Sequence, residues 1–375
     1  MASIFVTHFM KKWLVIVVAI GVFIGVFSEL VNGSEEKKEP MPVHILAGID
    51  SLTNGRLNGT TKSRYLDDFI PAVQKKYGDG GPGYVPFDTR YFNQEGGRLI
   101  YTPNLREINN IPHTMYPATY SFDFKGLYTN FGRSDSIKVR FNHSWTYGKL
   151  FYLKQLGGGT FKVGYSNDRT LRVSTGGRPG LGVVELPIHD KDQPLFIKNI
   201  HGRVALFGGY FYNPTGVVVS RVGQGGDRLE WFAGLNQNQQ REWIRVLKPD
   251  LFIFNGGMND RHHLSAEQYE TALEKYLSPF RKAHCSIIVS IPNAIHGDQR
   301  RLNQYADQLR LYSNKYHTGL FSYKDVLGGS FEEANKKGYM GDYIHPSAKG
   351  AKQISEHLLN YIYEQKNVQQ VLLKQ

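Results

Sequence analysis

The sequence predicts an α/β fold: a parallel sheet sandwiched by helices, interrupted by an inserted all-β region of sandwich or jelly-roll type. Three observations carry this expectation. Buried-strand patterns alternate with helical patterns near the start and again from Thr215 onward, as in βαβ units. Between Arg90 and Pro214 the pattern changes to short aromatic or β-branched runs separated by turn residues. Each apolar run of the α/β part ends in small polar residues, and the carboxyl ends of strands are where open parallel sheets bind ligands.

At 375 residues the chain accommodates one large domain or two ordinary ones. It is 41% hydrophobic and 13% aromatic, with 40 Gly and 23 Tyr, which favours turns and aromatic-rich strands over a helical bundle. The formal charge of +12 suits either nucleic acid or an anionic surface such as an envelope polymer. The basic residues are scattered and no RNA-binding or zinc-finger signature occurs, so nucleic acid is not an expected partner. Cys285 is the single cysteine, so no intramolecular disulfide can form. It opens the run CSIIVSIP and reads as a small buried hydrophobe on a core strand.

Residues 1–33 read as a signal peptide or signal anchor. Lys11 and Lys12 precede an uncharged apolar run from Trp13 to Phe27, and Glu29 ends it. The run is shorter than the roughly 20 residues of a comfortable membrane span. It fits a secretory core, with Val26 and Ser28 at the −3 and −1 positions of a cleavage site. It also fits a short anchor extended by Ser28–Val31, the basic flank staying cytoplasmic. Either way the remainder is expected to be extracytoplasmic, anchored or secreted. Residues 34–41 form a charged linker.

Residues 42–89 open the α/β part. The stretch HILAGIDSLTNG, His44 to Gly55, starts as an apolar strand, breaks at Gly48 and delivers Asp50 and Ser51 to the strand end. Tyr65, Phe69, Val73 and Tyr77 then share one helical face, and the glycines from Gly78 to Gly83 end it. Residues 90–214 supply the runs RLIYT, ATYSFDF, SIKVRFN, KLFYLKQL, GTFKVGYS, TLRVST, GVVELPI, PLFIKNI and RVALFGGYFY. This region is expected to carry its own core; its Tyr, Asn and Trp145 residues, taken as exposed, suit a carbohydrate platform, and the alternative is a structural β-domain that only packs beside the active site. Residues 215–366 resume the α/β pattern. Val217–Val222 is a strand, and Gly223, Gly225 and Gly226 turn it into a helix near Asp227. PDLFIFNGGMND is a strand ending at Asn259 and Asp260. Ser265 and Gln268 open a helix with a capping box. CSIIVSIPN and TGLFSY are further strands around the helix RLNQYADQLRLYSNKY, and AKGAKQISEHLLNYIYEQ is the closing helix. Residues 367–375 read as a frayed tail.

Four polar spots thus fall at strand ends: Asp50 with Ser51, Gly225 with Gly226, Asn259 with Asp260, and Asp342 with His345. Each has a bland reading alone. Ser51 and Asn259 suit caps, Asp50 a turn former, and Asp342 with His345 a capping pair before the last helix with Pro346 at its first turn. As an ordered set they are the parts of a serine acyl-transfer site. Ser51 is a weak nucleophile that needs a base. His345 can take its proton while Asp342 holds the imidazole. The Ser51 and Gly226 N–H groups, with Gly225 as the alternative, and the Asn259 amide can donate to an oxyanion. His262 and His263 suit the cleft wall or a metal pair. Adjacent histidines point apart on regular structure and no further ligand spacing follows, so neither metal nor cofactor is expected. His296 reads as a loop residue bordering the pocket.

The order IDSL, Gly-rich turn, GMND and DYIHP resembles the SGNH (GDSL) hydrolases, whose parallel sheet is flavodoxin-like. The resemblance covers about Pro42–Phe87 and Thr215–Glu364. It implies Ser51, Gly226, Asn259 and His345 as the family's four named residues, with Asp342 as the acid. Ile49 departs from the glycine usual before Asp-Ser. The segment KKYGDGGPGYVPF, Lys75 to Phe87, is similar to a loop of the bacterial cell-wall branch, which adds O-acetyl groups to envelope polysaccharides or removes them. The resemblance therefore implies O-acetyl transfer to a cell-wall polysaccharide through an acetyl-Ser51 intermediate, with a membrane protein supplying acetyl groups. The alternative is an O-acetylesterase acting on cell-wall polysaccharide or peptidoglycan. A further alternative is a non-catalytic polysaccharide-binding protein on the same scaffold, with Ile49 marking a degenerate site.

Overall fold

The computed structural model describes residues 41–55, 64–95, 97–165, 170–189 and 193–373. The expected signal segment 1–33 and all of the linker except Met41 lie outside the described residues. Among the described residues no helix is long and apolar enough to cross a membrane. The first strand, β1 (Val43–Ile49), is buried at every position, as a strand covered on both faces must be. Ser51–Asn54 forms a one-turn helix, α1. In α2 (Leu66–Tyr77) the expected stripe buries Phe69 and Val73, and Tyr77 packs on Tyr363.

An antiparallel sheet follows. Its strands are β2 (Gly83–Pro86), β3 (Arg98–Tyr101), β4 (Arg106–Glu107), β5 (Leu127–Arg140), β6 (Tyr147–Lys154), β7 (Thr160–Gly164), β8 (Thr170–Ser174), β9 (Gly180–Glu185) and β10 (Leu195–Tyr212). The helix α3 (Thr89–Glu95) lies between β2 and β3. The long β10 is shared: its first half pairs with β5 and β7, its second half with β2 and β6. Both halves bury side chains in one apolar cluster that includes Ile137, Leu150, Phe161, Ile197 and Phe211.

Four expectations change here. PLFIKNI and RVALFGGYFY are one strand, because register shifts between Ile197 and Val204 absorb the turn residues. ATYSFDF is not a strand. Ala118–Tyr120 is a turn of 3₁₀ helix, the Tyr120 carbonyl accepts the Trp243 indole N–H at 3.0 Å, and Asp123 pairs with Lys125 at 3.2 Å, both buried. Trp145 is only 3% exposed and stacks on His189 at 4.0 Å, so it belongs to the core and not to a carbohydrate platform. Lastly, the antiparallel sheet begins before residue 90. Gly80 N–H donates to the Val217 carbonyl at 3.1 Å, so the chain runs beside the edge of the parallel sheet before it enters β2.

The remaining strands are β11 (Val217–Arg221), β12 (Leu251–Asn255), β13 (Ser286–Ile291) and β14 (Gly319–Ser322). With β1 they form a parallel sheet in the order β11-β1-β12-β13-β14. This is the flavodoxin-like order, whose direction reverses between β1 and β12 and opens a crevice at their carboxyl ends. The connecting helices are α4 (Leu229–Gly234), α5 (Gln237–Leu247), α6 (Ala266–Lys282), α7 (Arg300–Tyr316), α8 (Tyr323–Val326), α9 (Phe331–Lys336) and α10 (Ala348–Glu364). The capping box of Ser265 and Gln268 is present at the start of α6. Cys285 is buried just ahead of β13. The expected frayed tail is instead largely helical: α11 (Lys366–Leu372) folds back and buries Val371 and Leu372 in the core.

Trp243 on α5 joins the two sheets. It is 1% exposed, and its ring meets Tyr84, Phe122, Phe151 and Phe207 at centroid distances of 5.8, 5.6, 4.9 and 5.8 Å. Trp243→Ala is expected to cost about 3–5 kcal/mol in denaturant unfolding, the range for emptying a buried aromatic site. The wild type should unfold in one transition, since this cluster spans both sheets; two separated transitions would contradict the joint core.

Candidate active site

The site is built where strand ends meet. Ile49 lies at the end of β1 beside Asn255, the last residue of β12. Its side chain needs room that the usual glycine would not, and Gly256 supplies it: a Cβ there would sit 3.3 Å from Ile49 Cδ1. On the other flank Gly223 lets the next loop approach, since a Cβ at that position would fall 1.7 Å from the Ile49 carbonyl oxygen. Asp50 follows, fully buried. Its Oδ1 accepts the Leu52 N–H at 2.9 Å and the Asn255 amide at 2.5 Å, and Asn255 Oδ1 accepts the Thr53 hydroxyl. These bonds cap and orient α1, whose first residue is Ser51. Burial pushes the Asp50 carboxyl up to about 7, and the nearby Asp260 and Asp227 push the same way, against the Leu52 and Asn255 hydrogen bonds.

His345 and Asp342 arrive on the loop before α10. Asp342 Oδ1 accepts the N–H groups of Ile344 and His345 at 2.7 Å each, closing a tight turn. Asp342 Oδ2 lies 3.0 Å from His345 Nδ1, and His345 Nε2 lies 3.0 Å from Ser51 Oγ. The capping alternative fails, because Ser347 caps α10 through the Gly350 N–H. Burial raises the Asp342 carboxyl, but the His345 and Ile344 N–H bonds and the imidazole outweigh it and hold the group below the usual carboxylate range. The turn is braced from the end of β13. The Asn293 amide donates to Ile344 at 2.8 Å and the His296 N–H to Tyr343 at 2.9 Å. His296 is exposed and acts here through its backbone, with its ring 5.0 Å from that of Tyr343.

The loop after β11 carries Gly225 and Gly226, the latter with φ of +91°. Gly225 faces a small hollow shared with Asn54 and Gly55, just past α1. The Asn259 amide donates to the Asp227 carbonyl at 2.9 Å, which ties the GMND turn to this loop. Asp260, buried beside it, accepts the Leu229 and Glu230 N–H groups at 3.0 and 3.1 Å and so anchors the start of α4. His262 and His263 are exposed on the turn that follows. Two braces come from the inserted region: His113 Nε2 lies 3.3 Å from Asp227 Oδ1, and the Lys125 ammonium donates to the Gly223 carbonyl. Sequence reading passed over both, since neither sits in a motif. It also passed over Asn255 and Asn293, for which the only local signal is a polar residue at the end of an apolar run.

Ser51, His345 and Asp342 thus form a hydroxyl–imidazole–carboxylate relay assembled from opposite ends of the chain. Such a relay can remove the serine proton during attack on an ester.

Residues 201–353 match the GDSL-like lipase/acylhydrolase family, a span that holds Gly226, Asn259, Asp342 and His345 but not Ser51. Among solved structures, a peptidoglycan O-acetylesterase aligns over 87% of this chain and 91% of its own, at 20% identity and a TM-score of 0.68. An alpha/beta hydrolase from the metagenome of Lake Arreo, Spain, aligns over 39% of this chain and 72% of its own, at 19% identity and a TM-score of 0.33. A catalytic mutant of an acetylxylan esterase from Geobacillus stearothermophilus gives 39%, 72%, 19% and 0.33 for the same quantities. No curated protein sequence matches the chain. The first alignment is too long to leave out the antiparallel sheet, so the pairing of the two sheets is a shared fold.

The buried Asp50 gives a pH signature. In the folded chain it keeps its proton up to about pH 7, whereas an unfolded aspartate releases it near pH ~4. The folded state binds the extra proton between those values, so the Asp50 contribution to stability falls as pH rises through that window. Asp50→Asn cannot titrate and is expected to gain on the wild type between about pH 4 and pH 7 in urea unfolding. A difference between the two that stays flat with pH would refute the buried neutral carboxyl.

Proposed function

We propose that this chain, an SGNH-type fold resembling the cell-wall O-acetylesterase branch, is a serine acylhydrolase that removes O-acetyl groups from a cell-wall polysaccharide. The observation that carries the reading is the relay, with 3.0 Å contacts at both imidazole nitrogens. Ser51 Oγ attacks the acetyl carbonyl while His345 Nε2 takes its proton. The proton passes to the departing sugar oxygen, leaving acetyl-Ser51. Water then attacks with His345 again as base, acetate leaves and Ser51 recovers its proton. Asp342 holds the imidazole tautomer and stabilises the imidazolium. The Ser51 and Gly226 N–H groups and the Asn259 amide donate to the oxyanion.

Hydrolysis is preferred to transfer because the His345 and Asp342 side chains are 23% and 25% exposed, so water reaches the relay. A transferase has to keep water from the acyl-enzyme. Transfer to a sugar hydroxyl is the second reading. It is favoured by the apolar Trp13–Phe27 run, which would station the enzyme at the outer membrane surface beside a protein supplying acetyl groups. In both readings the enzyme is extracytoplasmic, anchored or released. The relay weighs against the non-catalytic reading, since Gly256 accommodates Ile49 without displacing Ser51 from His345.

A serine-directed phosphonate should label Ser51 in the full-length protein; absence of that adduct in folded protein excludes the enzyme reading. Ser51→Ala should abolish release of acetate from an activated ester. Asp342→Asn is expected to lower kcat by about 10⁴. Asn259→Ala should lower it by roughly 10²–10³, the cost of one oxyanion donor. Acetate release unaffected by an added oligosaccharide marks the esterase, whereas acetylated sugar formed in preference to acetate marks the transferase.

A further inference from the structure

A second concavity lies away from Ser51. Where α4 and α5 face β6 and the approach to β9, a cleft of 1360 Å³ opens. That exceeds the roughly 300–1,000 Å³ of small-molecule pockets and suits a length of polymer. Five cations line it: Lys154 at the end of β6, Arg178 before β9, Arg241 and Arg245 on α5, and Lys275 on α6. All five are exposed. Arg241 and Arg245 are four residues apart and share a helix face. Among the described residues none of the five pairs with a carboxylate. The less exposed cations Arg64, Arg221 and Lys125 do find such partners, in Glu95 and Asp123. The two carboxylates in the cleft are engaged: Glu230 with Arg228 at 3.4 Å, and Glu242 with the Leu181 N–H at 3.3 Å. A concave wall of unpaired like charges focuses a field for anions.

We propose that this cleft binds the anionic groups of the polysaccharide on which the enzyme acts, an inference that rests on the substrate class proposed above. Asn236, Gln237 and Asn238 also line it. The Asn236 oxygen caps α5, Gln237 donates to the Lys275 carbonyl and the Asn238 oxygen accepts from Arg241, which leaves the Asn236 and Asn238 NH2 groups to face sugar hydroxyls. Trp231, the largest aromatic side chain there, has its face covered by the Arg228 guanidinium at 4.4 Å, which disfavours the base stacking that single-stranded nucleic acids use. One residue, His113, links the cleft to the loop after β11. It is stacked on Phe124 at 4.4 Å, and it contacts the Asp227 whose carbonyl holds Asn259. Polymer held in the cleft is therefore separated by His113 from the loop that carries Gly226.

The test is equilibrium binding by calorimetry with the full-length protein and four polymers free of O-acetyl groups. These are carboxylate-bearing glycan strands, a poly(glycerol phosphate), a neutral chitin oligosaccharide and polythymidylate. At least one of the two anionic polymers should bind about tenfold more tightly than the neutral oligosaccharide, and which one binds identifies carboxylate or phosphate as the charge recognised. Raising salt from about 50 to about 200 mM should weaken that binding about tenfold, as expected for roughly two neutralised charges. Combined Arg178→Glu, Arg241→Glu and Arg245→Glu substitution should abolish it. The pair Lys154→Glu and Lys275→Glu, on other elements, should weaken it independently. Wild-type affinity in both variants, equal affinity for the neutral glycan, or polythymidylate binding as tightly as the glycans would overturn the proposal. Phosphonate labelling of Ser51 in the same samples separates the two readings. Labelling without glycan binding refutes the cleft alone, and binding without labelling refutes the enzyme alone.

Discussion

The buried carboxyl of Asp50, shared between the ends of β1 and β12, is the constraint on which the site depends. One oxygen serves Leu52, at the start of the turn bearing Ser51, and Asn255, at the end of the neighbouring strand. The bond to Asn255 converts strand register into a position for Ser51, because Ile49 and Asn255 are partners in the parallel ladder. A carboxyl in that place is costly to bury charged, and it stays neutral up to about pH 7. Neutrality beside the proposed nucleophile leaves Asp342 as the anion that His345 faces.

Around that centre the loops are held by chains of hydrogen bonds and not by one dominant contact. Asn293 and His296 brace the DYIH turn from β13. Asp260 and Asn259 brace the glycine loop from β12. His113 and Lys125 reach the same loop from the inserted region. The antiparallel sheet is therefore not an appendage. Its aromatic contacts through Trp243 fix it against α5, and its polar contacts end beside the loop proposed to donate to the oxyanion. The basic cleft is lined from both parts, by Tyr120, Phe124, Lys154 and Arg178 on one side and by α4 and α5 on the other.

The alternation of strands and helices and the presence of a separate β-rich region were legible along the chain, whereas the flavodoxin-like sheet came only from the resemblance of its motifs to a known family. Ser51, Asp342 and His345 were legible too, because strand ends that stop in small polar residues leave a local mark. The errors share a cause. ATYSFDF reads as a strand by composition, yet a buried Asp123–Lys125 pair and the Trp243 indole hold it in turns. Trp145 reads as a surface aromatic until its neighbours, His189 and Phe211, are known. The last residues read as a tail until their apolar side chains find a core to enter.

By itself the sequence determined what depends on neighbours within a few residues: the strand and helix periods, the caps, the glycine turns, and the order of the four polar motifs. Tertiary structure decided what depends on residues far apart in the chain. It brought Ser51 within 3.0 Å of His345, placed Gly256 beside Ile49, and set His113 against Asp227. The physical reason is that hydrogen-bond geometry and desolvation are properties of the packed crevice. A residue's letter names the chemistry it carries, and only its buried partners decide whether that chemistry is aimed.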